Sequence, residues 1–402
     1  MSSPKSLTIL GATGSVGRAT LDVVQEANDR ARQAGKEPVF EIISLTAHSD
    51  WVLLAALAIK SGARHVALSD SRYGDQLKAA LADHRIAIDL GPQALIEAAA
   101  RPSDLVMAAI VGAAGLAPTL AAARRGATIA LANKECLVCA GGVFLQAVAQ
   151  GGGAILPVDS EHNAIFQVLD QSDQVEKLIL TASGGPFRTW SASAIAAATP
   201  EQAINHPNWS MGQKISVDSA TLMNKGLELI EAALLFAMPE HQIDILVHPQ
   251  SVIHSLVAYQ DGSVLAQLGA ADMRIPIAHT LAWPARLVTS APRLDLTIIG
   301  RLEFEVPDLD RFPALKLARA ALKKNGAAPT ILNAANEIAV QSFLHRSISF
   351  PQIAAIVSET MDEACRLGLD AALGDLDDVY AADQAGRSIA TQYRDKRRFV
   401  SV

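Results

Sequence analysis

Leu7-Thr8-Ile9-Leu10-Gly11-Ala12-Thr13-Gly14-Ser15-Val16-Gly17 runs from a short apolar segment through three glycines into a helical pattern. Glycine permits a tight turn and close backbone approach, and the helix that follows presents unpaired amides to an anion such as a pyrophosphate. The spacing, G-x-x-G-x-x-G, is a variant of the dinucleotide fingerprint and taken alone fits a structural turn as well. Its position decides the reading, because it lies between the first strand and first helix of an alternating series. Strands are expected at 7–10, 40–45, 65–68, 86–90, 105–111, 128–131 and 154–158, with helical stretches between them. That alternation predicts an α/β chain opening on a doubly wound, Rossmann-type parallel sheet.

Working outward, the second strand ends in Leu45-Thr46-Ala47-His48-Ser49, with no carboxylate before Asp50. An NAD site usually carries an acidic residue there for the ribose hydroxyls, so a histidine and small hydroxyls favour a 2′-phosphate and hence NADP. Asp50 then either caps the next helix or lies just outside the site. Beyond residue 158 the pattern changes. Strands at 177–181, 243–247, 252–259 and 264–268, with an Asp261-Gly262 turn signal, predict a central α+β domain. Pro284, Pro292, Pro307 and Pro313 mark a linker-like stretch, and helical spacing from Phe312 onward predicts a C-terminal helical bundle. The expected division is 1–158 for nucleotide binding, 159–285 for the chemistry, 286–311 as linker and 312–402 as helical domain.

The 402 residues are half hydrophobic, enough for sizeable cores, and the net charge of -7 with no basic tract argues against nucleic acid as a partner. Three cysteines, Cys136, Cys139 and Cys365, suit a reducing compartment better than a disulfide framework, and the C-x-x-C lacks a second ligand pair for zinc. The first strand begins within a few residues of Met1, so no leader peptide and a cytoplasmic location are expected. The uncharged run from Leu105 to Ala123 is long enough for a membrane span. Gly112, Gly115 and Pro118 divide it, and a buried strand followed by a helix fits better.

Chemistry is suggested by Ala154-Ile155-Leu156-Pro157-Val158 running into Asp159-Ser160-Glu161. Side chains alternate along an extended chain, so Asp159 and Glu161 are expected to point one way and Ser160 the other. Two carboxylates at a strand's carboxyl end suit a hard divalent cation. A second cluster, Asn133-Lys134-Glu135, is either a helix cap or a polar contact to cofactor and substrate. A third is 216–228, on a helix expected to start near Ser216, where Asn224 and Glu228 share a helix face. Ser219, Asn224 and Lys225, with Ser183 and the Gly184-Gly185 backbone, offer donors for a phosphate. Glu228 supplies a third carboxylate, with Glu231 one turn on as a rival. Carboxylates without cysteine or paired histidine favour Mg²⁺ or Mn²⁺ over zinc. The loop His206-Pro207-Asn208-Trp209-Ser210-Met211-Gly212 carries apolar residues among polar ones, as a water-excluding lid does.

Together these residues resemble the 1-deoxy-D-xylulose 5-phosphate reductoisomerase family, in the stretches 11–17, 131–135, 158–167, 183–187, 206–212, 214–228 and 247–255. The resemblance implies an NADPH-dependent rearrangement and reduction of a ketose phosphate in non-mevalonate isoprenoid synthesis, by a homodimer. It implies Asp159, Glu161 and Glu228 as ligands of Mg²⁺ or Mn²⁺. Ser183, His206, Ser219, Asn224 and Lys225 are implied as the phosphate set, and Lys134 and Ser160 as contacts to the reacting end of the substrate. Thr13, Gly14, Ser15, Val16, Asn133, Glu135 and Gly212 are implied as NADPH contacts. The family pattern Gly-Lys/Arg-Asn after the second strand is replaced here by Ala47-His48-Ser49.

Overall fold

The computed structural model describes residues 3–170, 172–209 and 211–398. The chain divides into two compact units. The first is Met1–Cys136, Phe144–Asn163 and Asp272–Pro292; the second is Leu137–Val143, Ala164–Ala271 and Arg293–Val402.

The first unit carries a sheet of seven parallel strands. They are β1 (Lys5–Leu10), β2 (Phe40–Ala47), β3 (His65–Leu68), β4 (Ala87–Leu90), β5 (Leu105–Ala108), β6 (Thr128–Leu131) and β7 (Ala154–Pro157). Their order is β4-β3-β2-β1-β5-β6-β7, so the direction of winding reverses between β1 and β5. This is the expected doubly wound sheet, and its inner strands are buried on both faces: Leu7, Ile9, Leu10, Val66, Leu68, Leu105 and Val106 are fully buried. The helix Ser15–Gln33 buries Thr20, Leu21, Val23, Val24, Ala27 and Ala31, one stripe at helical spacing. A crevice at the carboxyl ends of the strands, at the reversal, is where such sheets take ligands.

The uncharged run after Asp104 resolves into β5 and the helix Leu116–Arg124. No helix among the described residues is long and apolar enough to cross a membrane.

The second unit carries a mixed sheet of β8 (Val175–Ala182), β9 (Ile243–Val247), β10 (Ile253–Tyr259) and β11 (Val264–Leu268), ordered β11-β10-β8-β9. β8 and β9 are parallel, while β10 is antiparallel to both its neighbours. The helices Ala314–Lys324, Ala328–Leu344, Phe350–Arg366 and Leu376–Arg398 form the expected C-terminal bundle. The helix Ala328–Leu344 is its centre, buried on nearly every face, from Ala328 through Ile331, Leu332, Ala335 and Ala339 to Phe343.

Two local expectations are corrected. The extended chain does not continue through 159–161: it stops at Pro157, and Ser160–Val168 is a helix. The Asp159 carbonyl accepts the first helical bond, from Asn163 N–H at 2.8 Å, so Asp159 sits at the helix entrance and Glu161 in the first turn. Acidic side chains there are favoured by the helix dipole, which the alternation argument left out. Nor is 216–228 one helix. Gln213–Ala220 and Met223–Leu235 are separate, broken at Leu222, whose φ of 63° lies in the left-handed region. Leu222 is buried, and packing of its side chain holds a backbone conformation that leucine otherwise avoids.

Candidate active site

In a parallel sheet every carboxyl end lies on one edge. The turn after β1, Asn133-Lys134-Glu135 after β6 and Asp159 after β7 therefore share the same edge of the first unit. The glycine turn is built for close approach. A Cβ added to Gly17 would lie 2.3 Å from the Gly11 carbonyl oxygen and 2.6 Å from Ala12 Cα, so only glycine lets the helix start against the turn. Gly14 stands at the N-cap with no side chain capping the helix, and Gly14 and Ser15 are exposed. The amides of the first turn are thus presented outward, as a pyrophosphate requires. The end of β2 holds this turn, with Thr46 Oγ1 accepting from Gly11 N–H at 3.0 Å.

Asn133 is 3% exposed, and its side chain ties two loops together. Its amide donates to the carbonyls of Ile110, at 2.5 Å, and Gly112, at 3.1 Å. Its oxygen accepts from Cys136 N–H at 2.8 Å. The side chain therefore fixes the loop that carries Lys134 and Glu135. Lys134 forms an ion pair with Asp159, and Ser160 donates to the Glu161 carboxylate. Cys136 and Cys139 are buried and in no disulfide among the described residues, as expected of structural cysteines.

Sequence reasoning missed what anchors Asp159. Thr280, on the helix Arg274–Ala282 of the same unit, donates to the Pro157 carbonyl at 2.8 Å. Asn163 donates to that carbonyl at 2.9 Å, to Thr280 Oγ1 at 3.1 Å and to His279 Nδ1 at 3.2 Å. Burial, with a smaller contribution from the Arg286 charge, pushes His279 down to about 4, so near neutrality its imidazole is uncharged and Nδ1 can accept from Asn163. Nothing in the sequence signals a pairing across 117 positions.

The phosphate candidates lie in the second unit. Ser183 Oγ pairs with His206 Nε2 at 2.8 Å. His206 Nδ1 accepts from the amides of Asn208, at 3.2 Å, and Trp209, at 3.0 Å, which assigns the ring proton to Nε2, donating to Ser183. Gly185 N–H also donates to Ser183 Oγ, at 3.1 Å, leaving the hydroxyl proton to point at a further acceptor. Gly185 has φ +68°, and a Cβ there would lie 2.7 Å from the Ser219 carbonyl oxygen. That close approach brings the Ser183 loop to Ser219, at the end of the helix Gln213–Ala220, whose N-cap is Gly212.

Beyond the Leu222 break, Asn224 and Glu228 share a face, as their spacing predicts. Asn224 Nδ2 and Lys225 Nζ donate to the two oxygens of the Glu228 carboxylate. Lys225 and Glu228 are buried, and Asn224 Oδ1 is buried with no hydrogen-bond partner among the described residues. An acceptor in that position is suited to a donor arriving from outside, such as a ligand hydroxyl. Glu231 is buried one turn on.

Comparison with known proteins agrees with this architecture. Residues 7–141 match the family described as 1-deoxy-D-xylulose 5-phosphate reductoisomerase, and 155–236 and 268–389 match C-terminal domains of that enzyme. The 1-deoxy-D-xylulose 5-phosphate reductoisomerase of Rhodopseudomonas palustris is 54% identical over 96% of this chain and 93% of its own length. That of Rhodospirillum centenum is 55% identical over 96% of this chain and 94% of its own length. Among solved structures, the enzyme from Zymomonas mobilis in complex with NADPH superposes with a TM-score of 0.90 at 49% identity, covering 97% of this chain and 99% of that one. A DOX-P reductoisomerase in complex with NADPH, fosmidomycin and magnesium superposes with a TM-score of 0.91 at 45% identity, over 97% and 98%. The chain belongs to the 1-deoxy-D-xylulose 5-phosphate reductoisomerase family.

Proposed function

We infer that this chain is an NADPH- and divalent-metal-dependent enzyme that rearranges and reduces 1-deoxy-D-xylulose 5-phosphate to 2-C-methyl-D-erythritol 4-phosphate, a step toward isoprenoid precursors. The observation that carries the reading is the shared edge of the parallel sheet, where a glycine turn fit for a dinucleotide and a lysine–carboxylate cluster lie in one unit. Functionally, we assign cofactor binding to 1–158, metal and phosphate binding to 159–285, a connecting role to 286–311 and support to the helices of 312–402.

The fit to both groups is chemical. The cradle between Gly11 and Gly17, too narrow for a Cβ, suits a pyrophosphate, with Thr13, Gly14, Ser15 and Val16 presenting the turn. Asn133, Glu135 and Gly212 are assigned to the same cofactor. Asp159, Glu161 and Glu228 form an all-oxygen donor set suited to Mg²⁺ or Mn²⁺. When bound, the cation supplies Lewis acidity toward the substrate's carbonyl and hydroxyl oxygens, and NADPH supplies the hydride. The chain's own part is to orient. Ser183, His206, Ser219, Asn224 and Lys225 grip the phosphate, a part of the substrate remote from the reacting carbons, so its binding energy aligns those carbons. Lys134 and Ser160 hold the reacting end, and Trp209 and Met211 on the His206 loop exclude water.

The enzyme acts in the cytoplasm as a homodimer. An edge suited to sheet extension is β11, where Val264 and Leu265 are exposed.

Mixing the protein with NADPH, Mg²⁺ and 1-deoxy-D-xylulose 5-phosphate should produce a substrate-dependent loss of reduced-nicotinamide absorbance, with 2-C-methyl-D-erythritol 4-phosphate as product. Oxidation of NADPH without carbon rearrangement would instead identify a simple dehydrogenase.

A further inference from the structure

The preference for NADPH over NADH needs a cation near the adenosine ribose, and the end of β2, where a Rossmann-type sheet receives that ribose, offers only Ala47-His48-Ser49. The neighbouring strand supplies what β2 lacks. β3 pairs with β2 up to Ala47↔Leu68, and the two chains stay together beyond the sheet. Ser69 N–H donates to the Ala47 carbonyl at 3.0 Å, and Asp70 N–H to the His48 carbonyl at 2.8 Å. Two residues on is Arg72.

Asp70 holds that arginine in place. Its carboxylate accepts from Arg72 Nε at 2.9 Å and from Nη2 at 2.6 Å, while Arg72 N–H reaches Asp70 Oδ1 at 3.2 Å. The Asp70 side chain is 9% exposed and that of Arg72 81%, so the carboxylate is the fixed partner and the guanidinium faces solvent. Arg72 Nη1 has no hydrogen bond to any described residue. Arg72 beside it, and more weakly His48, holds the Asp70 carboxyl at about 2, so Asp70 remains an anchor at working pH. The acid that would serve a ribose diol is engaged elsewhere: Asp50 accepts from Leu53 N–H at 3.0 Å and caps the helix Trp51–Ser61.

We propose that Arg72, oriented by Asp70 and flanked by His48 and Ser49, binds the 2′-phosphate of NADPH and sets the cofactor preference of this enzyme. A guanidinium pinned on one edge keeps its other donors in a fixed plane, suited to two oxygens of one phosphate. The proposal rests on the NADPH reading above, and titration of the wild-type protein with NADPH tests that reading separately.

Equilibrium titrations of NADPH and NADH into the wild type, Arg72→Met and Arg72→Lys, without substrate, decide the matter. Arg72→Met should weaken NADPH binding by about ten- to fiftyfold and leave NADH within about twofold, as expected for losing one charge-assisted phosphate contact. Arg72→Lys should recover part of the loss. Wild-type affinity for NADPH should also fall more steeply with added KCl than that for NADH. Equal weakening of both cofactors, or none, overturns the assignment. Binding of NADH by each variant reports that it has folded.

Discussion

Glu228 shows how much one side chain is asked to do. It is 1% exposed, and two neighbours on its own helix, Asn224 and Lys225, donate to its carboxylate. A buried charge held this way keeps its geometry, which a metal ligand requires. Glu228→Gln preserves the shape and removes the charge. Turnover should fall by about a hundredfold or more, as for loss of a ligand to a catalytic cation, with NADPH affinity within about twofold. Steady-state rates at saturating Mg²⁺ check this, and unchanged turnover would exclude Glu228 as a ligand. The face it shares with Asn224 was legible in the sequence because spacing of four on a helix is a geometric fact. Its pairing with Asn224 follows the same rule. Arg72 was not legible, because the sequence alone does not say that the end of β3 runs beside the end of β2.

At the level of elements, the helix Arg274–Ala282 acts as a clasp. Thr280 and Asn163 both donate to the Pro157 carbonyl, two residues before Asp159. Thr280→Val keeps the volume, removes that bond and strips Asn163 of an acceptor. It should destabilise the protein by about 1–3 kcal/mol, measured by chemical denaturation, and lower turnover through a displaced Asp159. The clasp is also acid-sensitive. Above pH 6.5 His279 is neutral in folded and unfolded chains alike. As pH falls from 6.5 to about 4, the unfolded chain takes up the proton and the folded one does not, so stability is lost across that window. His279→Gln should flatten this part of the curve, with a smaller drop in melting temperature between those pH values than the wild type shows.

Elements with strong periodicity were legible from sequence. The strands at 65–68 and 128–131 appear with the expected bounds, because an apolar run between turn residues specifies a buried strand unaided. The two corrected elements fail for a common reason. Helix entry at Ser160 depends on Asp159 and the clasp behind it. The Leu222 break depends on burial of a leucine in a conformation its own propensity disfavours. Each is imposed by contacts that periodicity does not encode.

For the whole molecule, the dinucleotide turn Gly11–Gly17 belongs wholly to the first unit, and none of the proposed metal ligands Asp159, Glu161 and Glu228 lies in that turn. Metal removal should therefore separate two properties. Exhaustive dialysis against EDTA should abolish turnover and leave NADPH affinity, followed by nicotinamide fluorescence, within about twofold. Mg²⁺ or Mn²⁺ should then restore the rate. Parallel loss of both properties would place the metal in the cofactor site.

The ion pairs of Lys134 with Asp159 and of Lys225 with Glu228 bear on how the protein comes into being. A carboxylate with its own ammonium partner does not make a metal ion a condition of reaching the native state. Were a cation held by Asp159 and Glu228 as proposed, it would take the place of these ammonium partners, and Lys134 and Lys225 would be left to meet an anionic substrate. The same two lysines would then serve as counter-ions in the metal-free chain and as hands for the substrate in the loaded one.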